Sequence, residues 1–266
     1  MAHTHKQKDK LILLSINTRG FKTKILEILN AISSYDIVLL QELNILEEKD
    51  IKYVKSLYDG NFYYNKPLEG TRSTGILIRS NVVKQTDELH HRIIVPGQAN
   101  QLFFKINSLQ LTFINIYGCP DHDGNILLFK RITENIHITN ESDIIMGGDF
   151  NTVIDSELDQ IDYSHRGLEK LLKGKFEFIT LMQNLQIAEI FRTLNPSEKA
   201  FTYLASKDDG KISKSRLDRI YVNDYQVSSV KKHSFIPFAF TNHIGIVIQY
   251  GICQNVHYRS SHWKLN

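Results

Sequence analysis

Four short apolar runs in this chain stop abruptly on side chains that can do chemistry. Leu11-Ile12-Leu13-Leu14-Ser15-Ile16 gives way to Asn17-Thr18-Arg19-Gly20, and Asp36-Ile37-Val38-Leu39-Leu40 to Gln41-Glu42. Leu111 to Ile114 leads into Asn115-Ile116-Tyr117, and Asp143-Ile144-Ile145-Met146 into Gly147-Gly148-Asp149-Phe150-Asn151-Thr152. An apolar run of this length with no alternation fits a strand buried on both faces. Strands of that kind need a covering layer on each side, so the chain is confined to layered architectures. Phe21, Ile25, Ile28, Leu29 and Ile32 recur at helical spacing between the first two runs. The opening therefore reads strand, helix, strand, with a short helix following over 47–58.

Further strands are expected over 61–64, 74–78, 102–106 and 111–117, with Asn107-Ser108 turning a hairpin between the last two. Helices fit 125–138 and part of 163–185. The last third returns to strands at 200–204, 216–222, 230–236 and 244–250. Helices flanking clusters of mostly antiparallel strands indicate an α+β fold, a four-layer α/β sandwich in which two mixed β-sheets pack face to face with helices outside. At 266 residues the chain makes one large domain or two small ones, and no interdomain linker is visible. Residues 1–10 read as a disordered arm, 11–252 as the folded domain, and 253–266 as a linker.

A net charge of +3 does not by itself point to nucleic acid. No apolar run approaches the roughly 20 residues that span a bilayer, and the polar start has no signal core, so no membrane partner is expected. Cys119 and Cys253 form no spaced motif, which suits a reducing compartment.

Six polar groups fall at strand ends: Asn17, Glu42, Tyr117, Asp149 with Asn151, Asp218, and Asn242 with His243. Taken singly, each also fits a turn residue, a core tyrosine or a strand-start histidine. Taken together, they suit metal-assisted phosphodiester hydrolysis. Glu42 is a hard oxygen ligand of the kind Mg²⁺ uses. His243 can act as a general base with Asp218 on its other ring nitrogen, and Asn17, Asn151 and Tyr117 can donate to phosphate oxygens.

The order of these clusters resembles the endonuclease/exonuclease/phosphatase superfamily, which includes apurinic endonucleases and pancreatic-type deoxyribonucleases. Gly148-Asp149-Phe150-Asn151 and Ser215-Arg216-Leu217-Asp218-Arg219-Ile220 carry the most specific part of the likeness. Asn115-Ile116-Tyr117-Gly118-Cys119-Pro120, Phe191-Arg192-Thr193-Leu194-Asn195-Pro196, Phe201-Thr202-Tyr203 and the closing His262-Trp263-Lys264-Leu265-Asn266 resemble the endonuclease domain of non-LTR (LINE-type) retrotransposons. That resemblance implies a deoxyribonuclease-like fold. It also implies a Mg²⁺-dependent (or Mn²⁺-dependent) nick in double-stranded DNA that leaves a 3′-hydroxyl to prime reverse transcription. The implied partners are DNA and a reverse transcriptase domain of the same polyprotein, with action in the nucleus.

Carried over by position, Glu42 binds the metal with Asn17 beside it, and His243, oriented by Asp218, contacts the scissile phosphate or acts as base. Asp149 positions or activates water, Asn151 holds the phosphate, and Tyr117 stabilises phosphoryl charge. Thr202 and a hairpin bearing Lys207, Lys211, Lys214 and Arg216 are expected at the DNA, with Arg19 and Arg166 as further contacts. Two positions depart from the pattern. The family usually has Asp before the last His, where this chain has Asn242, retained here as a weaker metal-side group. Some apurinic endonucleases carry an acid where this chain has Arg19. The same residues leave open an apurinic repair enzyme, a phosphatase of the same fold, or a DNA-binding form impaired at Asn242.

Overall fold

The computed structural model describes residues 8–44, 47–70, 72–139, 141–161, 174–206 and 212–252. Strand alternation sorts its apolar side chains into three layers. In β1 (Lys10–Asn17) and β2 (Ile37–Gln41), Leu11, Leu13, Ile37 and Leu39 share one cluster with Phe104, Phe113, Ile145 and Ile220. Their neighbours Leu14, Ile16, Val38 and Leu40 join Phe21, Ile25 and Ile28 in another. The first cluster is the seam between two sheets, and the second lies under the helix α1 (Ile25–Ala31). A third cluster, with Ile114, Met146 and Phe150, is covered by Leu128, Phe129, Phe178 and Leu181 from two further helices. The layering is helix, sheet, sheet, helix, as the uninterrupted apolar runs require.

The first sheet runs β14 (Val230–Pro237), β15 (Ile244–Gly251), β1, β2, β4 (Thr74–Arg79), β3 (Gly60–Asn65). The second runs β10 (Ile187–Glu189), β13 (Asp218–Asn223), β8 (Ser142–Asp149), β7 (Leu109–Tyr117), β6 (Ala99–Ile106), β5 (Asp87–Val95). Each sheet is antiparallel apart from one central parallel pair, β1 with β2 and β7 with β8. A helix makes each parallel crossover, α1 in the first sheet and the helix His122–Asn135 in the second. The carboxyl ends of all four parallel strands therefore carry the residues singled out from sequence: Asn17, Gln41-Glu42, Tyr117 and Asp149.

The seam changes character toward that end. Continuing the parity of Leu11 and Leu13 come Ser15 and Asn17; after Ile37 and Leu39 comes Gln41; after Leu111 and Phe113 come Asn115 and Tyr117. Gln41 Nε2 donates to Asn115 Oδ1 at 2.7 Å, and Asn115 Nδ2 donates to the carbonyls of Leu40 and Gly75. Gly147 lets the sheets close here, because a Cβ would lie 2.9 Å from Leu39 Cδ1. The strand does not break at the two glycines; β8 runs through them to Asp149.

Other boundaries differ from the sequence expectation. The helix expected over 125–138 starts at His122, because the Asp121 side chain accepts from Gly124 N at 2.9 Å and caps it. The strand expected over 216–222 begins at Asp218, and a separate strand, β12 (Ile212–Ser215), precedes it. Pairing of β12 with β11 (Tyr203–Ser206) confirms the two arms of the hairpin; its tip, 207–211, lies outside the described residues. The strand β5 carries His, Arg and acidic residues with little apolar alternation, so no strand is expected there from sequence. The arm expected over 1–10 overlaps the fold: β1 starts at Lys10, and Lys8 Nζ pairs with Asp36. Residues 1–7 and 253–266 are outside the described residues. No helix among the described residues is long and apolar enough to cross a membrane.

A buried ion cluster fixes the base of the hairpin. Asp159 accepts from Arg216 at 2.7 Å, from Arg192 at 2.8 Å and from Arg219 at 3.3 Å, and Arg216 also pairs with Glu189. Burial opposes the Asp159 charge, but Arg219 and Arg216 outweigh it and hold the carboxyl below its ordinary range. Replacing Asp159 with Asn leaves Glu189 alone to face the buried guanidinium groups of Arg216 and Arg219, and should lower unfolding free energy by about 3–5 kcal/mol in urea titrations.

Candidate active site

The strand ends converge on one polar rim. Asn17 Nδ2 donates to Glu42 Oε1 at 3.1 Å and to Asp149 Oδ2 at 2.9 Å, and so joins the two sheets. The Tyr117 hydroxyl donates to the same Glu42 oxygen at 2.7 Å. Across the rim, His243 Nδ1 lies 2.9 Å from Asp218 Oδ2. Asp218 faces Asp149 in the β13–β8 register, and ligand atoms of Asp149, Asp218 and His243 all fall within 4.8 Å of one another. All three are buried, whereas Glu42 is half-exposed.

The loops at these strand ends are held in left-handed backbone. Arg19, Glu42 and Asn151 have φ of 47°, 52° and 47°, conformations that cost a non-glycine residue about 1–3 kcal/mol. Side-chain bonds stabilise each one. Arg19 N donates to Asn17 Oδ1 at 2.9 Å, Asn151 N donates to Asp149 Oδ1 at 2.9 Å, and Thr18 Oγ1 donates to the Glu42 carbonyl at 3.2 Å. The Asn17 bond fixes its amide with oxygen toward the backbone and nitrogen toward the carboxylates. Asn17 therefore turns a donor, not a ligand oxygen, to the site.

Charge follows from this packing. Burial, reinforced by the Asp218 charge, pushes the Asp149 carboxyl above its ordinary value. Burial and then Glu42 push the Tyr117 hydroxyl up, so it stays protonated and donates. Burial works against the His243 cation, but the charge and hydrogen bond of Asp218 outweigh it and raise the imidazole to about 9. His243 thus rests as an imidazolium at neutral pH. Oxygen donors that include a half-exposed carboxylate beside buried acids form a set suited to a hard divalent cation.

Several sequence candidates sit elsewhere than expected. Arg216 is 1% exposed within the ion cluster and cannot reach DNA. Thr202 is fully buried; its Oγ1 accepts from the amides of Leu217 and Asp218, each at 3.0 Å. Asn242 Nδ2 donates to the Leu204 carbonyl at 2.9 Å, and no hydrogen bond among the described residues joins it to Glu42, Asp149 or Asn17. Asn151 Nδ2 donates to the Gly118 carbonyl at 2.9 Å and leans on Asp149 at 3.5 Å. Arg19 is exposed beside Asn17, and Lys214 is half-buried on β12. Lys207, Lys211 and Arg166 lie outside the described residues.

Asn125 was not anticipated. Its Oδ1 accepts from Cys119 N, and its Nδ2 donates to the Phe150 and Asn151 carbonyls and to Thr152 Oγ1, tying the loops after β7 and β8 together. An asparagine on the first turn of an amphipathic helix gives no such signal in sequence.

The sequence pattern of the endonuclease/exonuclease/phosphatase family matches residues 14–243. The chain belongs to that family. A 149 kDa transposon TX1 protein of Xenopus laevis is 22% identical over 261 residues, 96% of this chain and 19% of its own length. The chain therefore spans about a fifth of that relative. An AP endonuclease, LMAP of Leishmania major, shares the fold with a TM-score of 0.74 at 16% identity, covering 91% of this chain and 88% of its own. The endonuclease domain of TRAS1, a telomere-specific non-LTR retrotransposon, gives a TM-score of 0.60 at 16% identity, covering 92% of this chain and 99% of its own.

The dyad supplies a direct check. NMR titration of the His243 imidazole should show a midpoint near pH 9, and a clearly lower one in Asp218→Asn, where burial still disfavours the cation and only Asp149 and Glu42 remain to oppose that effect.

Proposed function

We propose that this chain is a divalent-metal-dependent endonuclease that nicks one strand of double-stranded DNA and leaves a 3′-hydroxyl to prime reverse transcription. One observation carries the reading: the Glu42–Asn17–Asp149 chain of hydrogen bonds meets the His243–Asp218 pair on a single rim. The family, the transposon relative and the TRAS1 fold neighbour support the retrotransposon setting. A reverse transcriptase domain elsewhere in a longer protein and work in the nucleus belong to the same reading.

Glu42 would hold Mg²⁺, or Mn²⁺ in its place, at its half-exposed carboxylate, oriented by Tyr117 and Asn17. A divalent ion there would neutralise charge on the phosphoryl oxygens. The residues of the chain do the rest. His243, resting as an imidazolium, donates through Nε2 to the scissile phosphate and stabilises the charge that builds there. Asp149, whose carboxylate is made more basic by burial, accepts the proton of the attacking water. As the new P–O bond forms, the bond from phosphorus to the 3′-oxygen breaks, and that oxygen takes a proton from solvent to leave as the 3′-hydroxyl. Asn151 keeps the Asp149 carboxylate and the Gly118 loop in register with the phosphate. Exposed Arg19, half-buried Lys214, and Lys207, Lys211 and Arg166 are proposed to meet the DNA backbone.

Nicking of supercoiled plasmid across a Mg²⁺ titration tests this. The chain should nick only with the metal, His243→Ala should lose at least a hundredfold, and EDTA should abolish the reaction. A chain that hydrolyses small phosphate monoesters but leaves plasmid intact would be a phosphatase instead. Grafting a foreign hairpin between Leu204 and Ser213 should move the nick sites, and an unchanged site pattern would remove the hairpin from target choice.

A further inference from the structure

The base of the hairpin is bonded to both partners of the His243–Asp218 pair. On one side Thr202 Oγ1 accepts from the amides of Leu217 and Asp218, each at 3.0 Å. On the other, the segment 242–244 lies along β11 as an added strand. Leu204 N donates to the Asn242 carbonyl at 3.3 Å, Ile244 N to the Thr202 carbonyl at 2.7 Å, and Tyr203 pairs with His243. The rings of Tyr203 and His243 are 4.8 Å apart. One side chain reinforces this strip: Asn242 Nδ2 donates to the Leu204 carbonyl at 2.9 Å.

The chemistry of that bond selects the residue type. A backbone carbonyl only accepts, so its partner must donate. An aspartate at 242 would set an ionised acceptor 2.9 Å from another acceptor, so the contact would be lost and the segment pushed off β11. The Asn242 Oδ1 is shielded from solvent and accepts no hydrogen bond from the described residues, among which the nitrogen end makes the side chain's contact. The departure from the usual aspartate therefore brings a new bond as well as the loss of a charge.

We propose that Asn242 is a positioning residue that keys the hairpin to His243, so that DNA gripping the hairpin sets the alignment of the dyad. The inference rests on the endonuclease reading and deepens it. Thr202 makes the matching connection to Asp218. Between them they turn hairpin engagement into placement of the imidazolium over the phosphate.

The test compares Asn242→Asp, Asn242→Ala, Thr202→Val and Thr202→Ser in plasmid nicking and in amide hydrogen exchange. Asn242→Asp and Asn242→Ala should both lower kcat at saturating DNA at least tenfold, without lowering the Mg²⁺ requirement. The amides of Leu204 and Ile244 should exchange at least tenfold faster in both. Thr202→Ser keeps the acceptor and should retain activity that Thr202→Val loses. A metal-ligand role would order the forms differently, with Asp nicking fastest at lowest Mg²⁺ and Ala slowest; that order overturns the proposal. If the unsubstituted chain nicks no DNA, the endonuclease reading falls. The exchange data then decide the keying alone: faster exchange at Leu204 and Ile244 supports it, and unchanged exchange overturns it.

Discussion

Two hydrogen bonds tie sheet to sheet at the polar end of the seam, Asn17 Nδ2 to Asp149 and the Tyr117 hydroxyl to Glu42. Below them the seam is leucine, isoleucine and phenylalanine; next comes a layer of Ser15, Gln41 and Asn115 whose polar atoms bond mainly to one another and to backbone. Such buried groups are tolerable because most of them are paired. The result is a graded interior, dry at one end and increasingly polar at the other. The polar rim is the continuation of the core, so its side chains inherit the rigidity of the packed sheets.

Two buried clusters of charge serve different ends. Around Asp159, three arginines and two acids fix the junction of β12 with the second sheet. Around Asp149 and Asp218, two acids share one imidazole and are short of positive charge. The first cluster carries one cation more than it has acids, and it is structural. The second carries one acid more than it has cations and is buried, which is the condition that draws a cation and a proton toward it. The two are neighbours along the chain, since Arg216 and Asp218 are separated by Leu217 alone.

Much of this was legible in the sequence because central strands betray themselves. The runs at Leu11, Asp36 and Asp143 are apolar on both faces and end on a polar group, and both properties survive in the fold. The pairing of Asp218 with His243 was open to the residue types and implied by the family resemblance, and the structure contains it. What was not legible depended on contacts distant in sequence. Arg216 and Thr202 look like surface groups in a basic, hydroxyl-rich hairpin; only the position of Asp159 and of the Asp218 amide shows that they face inward. Asn125 looks like a helix residue until the loops it bridges are folded against it. Glycines at 147 and 148 read as a turn, because nothing local reveals that Leu39 occupies the space a side chain would need.

The shared parity of core and site has an evolutionary corollary. Leu11, Leu13 and Asn17 lie on one face of β1, and Leu111, Phe113 and Tyr117 on one face of β7. Insertion or deletion of a single residue inside either strand would move the core apolar groups to the wrong face in the same step as the functional one. Gain or loss of one codon would thus be rejected as misfolding before it could be sampled as altered catalysis. Length variation among relatives should accumulate in the connections, where the chain is free to change its reach without touching this phase.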